Sequence, residues 1–228
     1  MQHSARRINA LTRPLGATRY LEIGVLGGQT FREVEVAQRT GVDPDFKFEV
    51  STLIDERTRL VSQTSDEFFA NEPLFPPYDL LFIDGMHTFE QVSRDFCNAI
   101  VHSHRRSVIL IDDTLPNDVY STNPNQADGM RYRRATGNND IAWHGDVFKL
   151  VFLIHDFWPS LDYRTIVGSG NPQTMVWRAN NIRRTPRFDN FERISRLTYF
   201  DLQENLDVLQ KAPEDEAIAA CIAAANSI

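Results

Sequence analysis

The sequence predicts an α/β fold built on a doubly wound, mostly parallel sheet with an antiparallel C-terminal hairpin strand, and three observations predict it. Short apolar runs alternate with helical segments from residue 19 to residue 111, the pattern of parallel strands joined by right-handed crossovers. The stretch LEIGVLGGQTF, Leu21 to Phe31, sets a glycine-bearing turn between a strand and a helix start, where backbone can approach a small ligand closely. Two later strands end in carboxylates, Asp84 on one and Asp112 with Asp113 on the other.

Each element follows from local pattern. Arg19 to Val25 reads as the first strand, with a brief helix from Thr30. Gln38 to Val42 is a second strand ending in Asp43-Pro44, since proline stops what precedes it. Arg59 to Gln63 is a weak third strand, and SDEFFANE a helical turn. YDLLFI, Tyr78 to Ile83, is continuously apolar and reads as a buried strand. HTFEQVSRDFCNAIVHS places Phe89, Val92, Phe96, Ala99 and Ile100 on one helical face, and Cys97 is assigned to that packing face. SVILI, Ser107 to Ile111, is a second buried strand. The segment His102-Ser103-His104-Arg105-Arg106 before it reads as a solvated helix end.

After Asp113 the pattern changes. Residues 114–142 are polar, carry Pro, Asn and Gly throughout, and read as a long structureless loop of the functional kind. Within it RYRR, Arg131 to Arg134, is taken as a solvated charge run in preference to a guanidinium clamp for an anionic substrate group. DVFKLVFLIHDFW is a helix, and YRTIV and TMVWR form a hairpin joined by GSGNPQ. The tail starts polar and basic with NNIRRTPR and ends in PEDEAIAACIAAA, a helix whose acidic first turn suits the dipole.

A length of 228 residues fits a single domain, 1–228, with its core at about 18–178, a substrate loop at 114–142 and a C-terminal extension at 180–228. The formal charge of −7 argues against a nucleic-acid partner, whose phosphates attract a basic face. Cys97 and Cys221 suggest neither a disulfide framework nor a zinc site. No apolar run reaches membrane-spanning length and MQHSARRINALTRPLG has no apolar secretory core, so the expected location is cytoplasmic, with no membrane partner. Nothing in the sequence supports a homo-oligomer through the helical tail.

The glycine turn discriminates among ligands. A pyrophosphate binder wants G-x-G-x-x-G and no facing negative charge; here the glycines fall at Gly24, Gly27 and Gly28, and Glu22 precedes them. No Gly-Lys-Ser/Thr follows, which excludes a P-loop. S-adenosylmethionine carries an ammonium and a sulfonium, which a carboxylate suits, and Asp43 at the second strand's end is placed to accept from ribose hydroxyls. Spacing favours S-adenosylmethionine over a dinucleotide and leaves the dinucleotide open.

EIGVLGGQT resembles the first motif of class I S-adenosylmethionine-dependent methyltransferases, in the E-[IL]-G-x-x-x-G-x-[ST] form of the metal-dependent O-methyltransferases of the catechol and caffeoyl-coenzyme A type. GVDP resembles that fold's second motif, YDLLFIDGMHTFEQVSRDF its fourth strand and following helix, and VILIDDT its fifth strand. D-G-x-H-x-[FY]-x-x-V-x-x-D is similar to the pattern of the sugar and small-molecule enzymes of the macrocin and mycinamicin type, as is WHGDVFK, Trp143 to Lys149. The resemblance covers roughly residues 18–178. It implies a Rossmann-like core, with Glu22, Gly24, Val25, Gly28, Thr30, Asp43 and Asp84 at the cofactor, and Thr64 or Ser65 against the adenine.

The acidic strand ends then acquire a role. Adjacent strands lie roughly 4.8 Å apart, so Asp84, Asp112 and Asp113 can converge on one cation. Three hard oxygens without a Cys or His partner suit Mg²⁺, Mn²⁺ or Ca²⁺ better than zinc, and the resemblance implies Mg²⁺ at these positions. His87, with an ordinary pKa of about 6.5, suits a general base for a hydroxyl polarised by that metal, the role the resemblance implies for it. Asp146 reads either as a helix N-terminal acid or as a residue facing the acceptor. The expectation is a metal-dependent O-methyltransferase for a hydroxylated small molecule, a sugar moiety or natural product. A metal-independent methyltransferase and a non-catalytic binder of the adenosyl cofactor are the alternatives.

Overall fold

The computed structural model describes every residue except Asn181, Arg183 and Ile228, so two positions of NNIRRTPR and the last residue of the C-terminal extension lie outside the described residues. β1 (Arg19–Ile23), β2 (Gln38–Val42), β3 (Thr58–Val61), β4 (Tyr78–Ile83) and β5 (Ser103–Ile111) run parallel in the spatial order β3-β2-β1-β4-β5. β7 (Gln173–Arg178) is antiparallel to β5, β6 (Leu161–Ile166) is antiparallel to β7, and the short β8 (Lys211–Ala212) adds parallel to β6. The chain winds outward from β1 through β2 and β3, then returns to place β4 on the other side of β1. A ligand crevice opens where such a reversal occurs, at the C-terminal ends of β1 and β4.

Alternation along the strands builds two cores. Leu21, Ile23, Leu81 and Ile83 face one side, packed by α3 (Ser65–Asn71), α4 (Phe89–Val101) and α6 (Phe148–Phe157), with α7 (Phe191–Ser195) and α8 (Tyr199–Glu204) closing that layer. Tyr20, Leu80 and Phe82 face the other, covered by α1 (His3–Leu15), α2 (Gln29–Glu33) and α9 (Glu214–Asn226). A strand buried on both faces has the period-2 split of two apolar sets that this arrangement requires.

One helix is new and four local expectations are corrected. The N-terminal segment is helix α1: Ala5, Ile8, Leu11 and Leu15 form its buried stripe, and Gly16 at φ 64° ends it in a left-handed cap. Residues 103–106 belong to β5, not to a helix end. Polar contacts hold them there, with His104 Nε2 2.7 Å from Asp79 Oδ1 and the Ser107 hydroxyl donating to the Tyr78 carbonyl at 2.7 Å. The 114–142 segment contains α5 (Gln126–Ala135), capped by the Asn125 side chain. Arg133 on α5 is not solvated: it is buried, paired with Asp118 at 2.8 Å, and donates to the carbonyls of Asp140 and Ala142. Cys97 is exposed, and the packing face of α4 includes the buried carboxyl of Asp95 instead.

A clasp ties the two chain ends together. Glu214 accepts from Arg6 Nε at 2.8 Å, Arg7 Nε at 2.9 Å and the Ser169 hydroxyl at 2.6 Å. Those donors, Arg6 first, hold its pKa down to about 2 from 4.5. Because the folded value is the lower one, the stabilisation is complete above about 4.5 and fades as pH falls toward 2. Glu214→Gln is expected to cost about 1 kcal/mol at neutral pH, discounted for partial exposure, with the deficit shrinking below pH 4.5. Paired urea unfolding curves at pH 7 and pH 3.5 check this, and a deficit independent of pH counts against it.

Candidate active site

The crevice is built first by glycine. Gly24 follows β1 at φ 87°, and a Cβ there would sit 1.9 Å from the Asp84 carbonyl oxygen. Only glycine lets the first turn abut the end of β4. Gly28 begins α2 at φ 74° and donates its N–H to the Val25 carbonyl at 2.7 Å. Val25 is buried beneath the turn, and Thr30 lies in the first turn of α2. Asp43 closes the turn from β2, one carboxylate oxygen accepting from Leu26 N and the other from Asp45 N, both at 2.7 Å. Glu22 is buried under the turn, accepts from the Tyr20 hydroxyl at 2.6 Å, and burial pushes its carboxyl well above the usual range. Thr64 caps α3 in a reciprocal pair with Glu67, while the Ser65 hydroxyl accepts from Gln91 Nε2 of α4 at 3.0 Å.

On the other side of the crevice three functional groups converge. Asp84 follows β4, His87 stands at the entry to α4, and Asp113 follows β5. His87 Nε2 lies 3.1 Å from Asp84 Oδ1, and Nδ1 lies 3.1 Å from Asp113 Oδ2. The second contact is a close approach of charge without hydrogen-bond alignment, so Nδ1 has no hydrogen-bond partner. One ligand-capable atom from each of the three falls within 4.8 Å of the others. His87 and Asp113 both have left-handed backbone, φ 47° and 59°, a conformation costing about 1–3 kcal/mol each that persists at functional sites.

Crowding shapes the protonation of the group. Burial, then the charge of Asp112, raises Asp84 to about 7. Burial and Asp112 likewise raise Asp113 to about 6. Burial pulls His87 down, but the Asp84 hydrogen bond and the Asp113 and Asp84 charges outweigh it and push the imidazole up to about 9. These groups share protons as a set, and the set carries more negative charge than its burial favours.

Asp112 stands beside this cluster and is not one of the three that ligating geometry brings together among the described residues. Its Oδ1 accepts from Asp113 N at 2.9 Å and from Asn171 Nδ2 at 2.6 Å, and Asn171 also donates to Asp113 Oδ1 at 2.7 Å. Where the strand ends suggested three carboxylates, the geometry brings two carboxylates and an imidazole together, with Asp112 alongside. The sequence reading missed Asn171, which arrives from the β6–β7 turn. It also passed over His144, whose Nε2 lies 3.8 Å from Asp113 Oδ1 and which burial lowers below 6.5. Its place inside WHGDVFK is the signal that could have found it.

That motif braces the site. The Trp143 ring stacks 4.9 Å from His87, and its indole N–H donates to the Asn123 carbonyl at 2.7 Å. Asp146 accepts from Phe89 N at 2.7 Å, capping α4, and from Lys149 Nζ at 2.8 Å. Its carboxylate therefore caps α4 rather than the backbone of α6, and its link to α6 is the Lys149 ion pair.

Comparison with known proteins agrees with the fold. The profile of a family described as "Methyltransferase domain" (Methyltransf_24) matches residues 21–114. Among solved structures, a putative O-methyltransferase from Klebsiella pneumoniae is 21% identical, with 78% of this chain and 81% of that one covered at a TM-score of 0.55. The O-methyltransferase TomG from Streptomyces achromogenes, solved with SAM, is 15% identical over 77% and 79% at 0.52. The MycE methyltransferase of the mycinamycin pathway, solved with Mg and SAH, is 15% identical and matches 82% of this chain but 51% of its own, at 0.50. No curated protein matches in sequence. The fold is that of the class I S-adenosylmethionine-dependent methyltransferases. The match to the methyltransferase-domain profile spans residues 21–114, the β1-to-β5 part of that fold.

Gly145, at φ 59°, lets the motif pass His87: a Cβ there would sit 1.7 Å from the His87 carbonyl oxygen. Gly145→Ala is expected to cost about 1–3 kcal/mol of stability and to displace His87. Thermal unfolding checks the first effect, and the His87 ring resonances in an NMR spectrum check the second.

Proposed function

We propose that the protein is an O-methyltransferase that moves the methyl of S-adenosylmethionine to a hydroxyl of a small molecule, a sugar moiety or natural product, with a divalent cation at Asp84 and Asp113 and with His87 as base. The observation that carries it is the Asp84–His87–Asp113 cluster at the mouth of the glycine turn. Two carboxylates with raised pKa values, Asp113 buried and Asp84 half-buried, and a histidine between them fit a divalent ion, since a dication removes the repulsion that helps to raise them. When bound, such an ion lowers the pKa of a nearby hydroxyl. The MycE structure, which holds Mg and SAH, is consistent with this assignment.

The chain's own residues supply the remainder. Gly24, Val25, Gly28 and Thr30 form the turn against which the methyl donor rests, and Asp43 has acceptor capacity left for ribose hydroxyls. Thr64 and Ser65, at the start of α3, are assigned to the adenine side, and Glu22 supports the turn from beneath. Once Asp84 and Asp113 are neutralised, the charges that keep His87 protonated are gone, and its ring nitrogen can take the acceptor's hydroxyl proton. The acceptor oxygen then forms its bond to the methyl carbon as the carbon–sulfur bond breaks, releasing S-adenosylhomocysteine. Asp112 and Asn171 hold Asp113 in place.

The acceptor side is assigned to the 114–142 insertion and the C-terminal extension of one 1–228 unit. Between them lies a cavity of 360 Å³ with Asn123, Pro124, Lys149, Tyr199 and Phe200 on its walls. Trp143 links the Asn123 loop of this wall to His87. The size suits a small molecule.

Two outcomes test this reading. His87→Gln is expected to lower kcat by about 10²–10⁴-fold while calorimetric affinity for S-adenosylhomocysteine stays within a few-fold; unchanged turnover overturns the role of His87. Chelation is expected to abolish transfer, with Mg²⁺ restoring it. Because protons must leave Asp84 and His87, raised to about 7 and about 9, for the ion to be held, its affinity should rise with pH through neutrality, with proton release on binding. Calorimetry in buffers of different ionisation enthalpy reads that release, and none would argue against metal at this site.

A further inference from the structure

The opposite edge of the sheet carries a second cavity, of 310 Å³, at the N-terminal ends of β1 to β4. Strand register gathers its walls: Arg19 pairs with Gln38, Arg39 with Thr58, and Thr40 with Arg59. With Arg57 the walls hold four guanidinium groups, against the carboxylates of Asp55 and Glu56. In a chain of net charge −7, this local excess of cations is opposite to the global sign.

The arginines divide by how fully they are used. Arg39 donates to the carbonyls of Phe31 and Val34 and to the Thr58 hydroxyl, which makes it part of the framework. Arg59 pairs with Glu72 at 2.7 Å. Arg19 donates from Nη1 to Gln38 at 2.9 Å and lies 5.0 Å over the Tyr78 ring, but its Nε is buried with no partner. A buried donor left unpaired is unfavourable. Asp55 accepts from the backbone N–H of Arg57 at 2.8 Å, so it is engaged with its own turn, and the Arg57 side chain has no ion pair among the described residues.

We propose that this cavity is a binding site for a small, multiply charged anion of the phosphate or polycarboxylate kind, held by Arg19 and Arg57. The forked guanidinium donors of Arg19 and Arg57 match the geometry of an oxyanion in the cavity. The site is separate from methyl transfer. The length of β1, on the order of 15 Å for a five-residue strand, lies between Arg19 and the glycine turn.

The test is calorimetric titration of the full chain with inorganic phosphate, with citrate and with chloride, at constant ionic strength, alongside Arg19→Gln and Arg57→Gln. Phosphate or citrate should bind saturably and raise the unfolding temperature, and each variant should weaken binding by about tenfold. The preferred probe tells whether the natural ligand carries phosphoryl or carboxylate groups. Arg57 is exposed at the cavity rim, so Arg57→Gln keeps the test valid even if Arg19→Gln fails to fold. Binding no tighter than that of chloride, or equal in wild type and Arg57→Gln, overturns the proposal.

Discussion

Like charges held close together at the carboxyl edge of the sheet are the constraint on which the rest of this site depends. Asp84 and Asp113 flank His87 at 3.1 Å on either side, and Asp112 adds its field to both carboxylates. Left in water, these groups would repel and separate. Here each is anchored by backbone that cannot move away: Asp84 N donates to the Ile23 carbonyl at 2.8 Å, and Asp112 N to that of Ile83 at 3.0 Å. The sheet ladder itself extends into the site.

Support for that edge comes from far along the chain. Arg7 of α1 is fully buried and donates to the Asn171 carbonyl at 2.7 Å, to Glu214 of α9 and to Gln173 of β7. Asn171 in turn bridges Asp112 and Asp113. One guanidinium thus joins the first helix, the last helix and the turn that orients two carboxylates. A buried cation of this kind is retained because several acceptors satisfy it at once. The Trp143–Asp146 segment does the equivalent work on the opposite flank, stacking on His87 and capping α4.

How far the site could be read ahead of the structure depended on the type of signal. Gly24, Asp84, His87 and Asp113 lie in short motifs whose spacing follows from strand and turn geometry, and the fold brings them to one crevice. α1 was missed because its buried stripe is interrupted by Arg6, Arg7, Asn9 and Arg13, so that composition masks the period. α5 was missed for a different reason: its buried anchor is Arg133, held by ion pair and carbonyls, and apolar periodicity has no view of polar burial.

From residue order alone came the doubly wound architecture, the ends of most strands within a residue or two, the glycine turn and the acidic strand tips. These depend on neighbours within about a dozen positions, where side-chain period and backbone preference act directly. Only the tertiary structure decided that His87 lies between two carboxylates, that Asp112 turns to Asn171, and that His144 joins them. Apart from Asp84 with His87, those pairings link residues about 25 to 60 positions apart, and the energy that selects them, the cost of burying charge without a partner, exists only once the chain has closed around it.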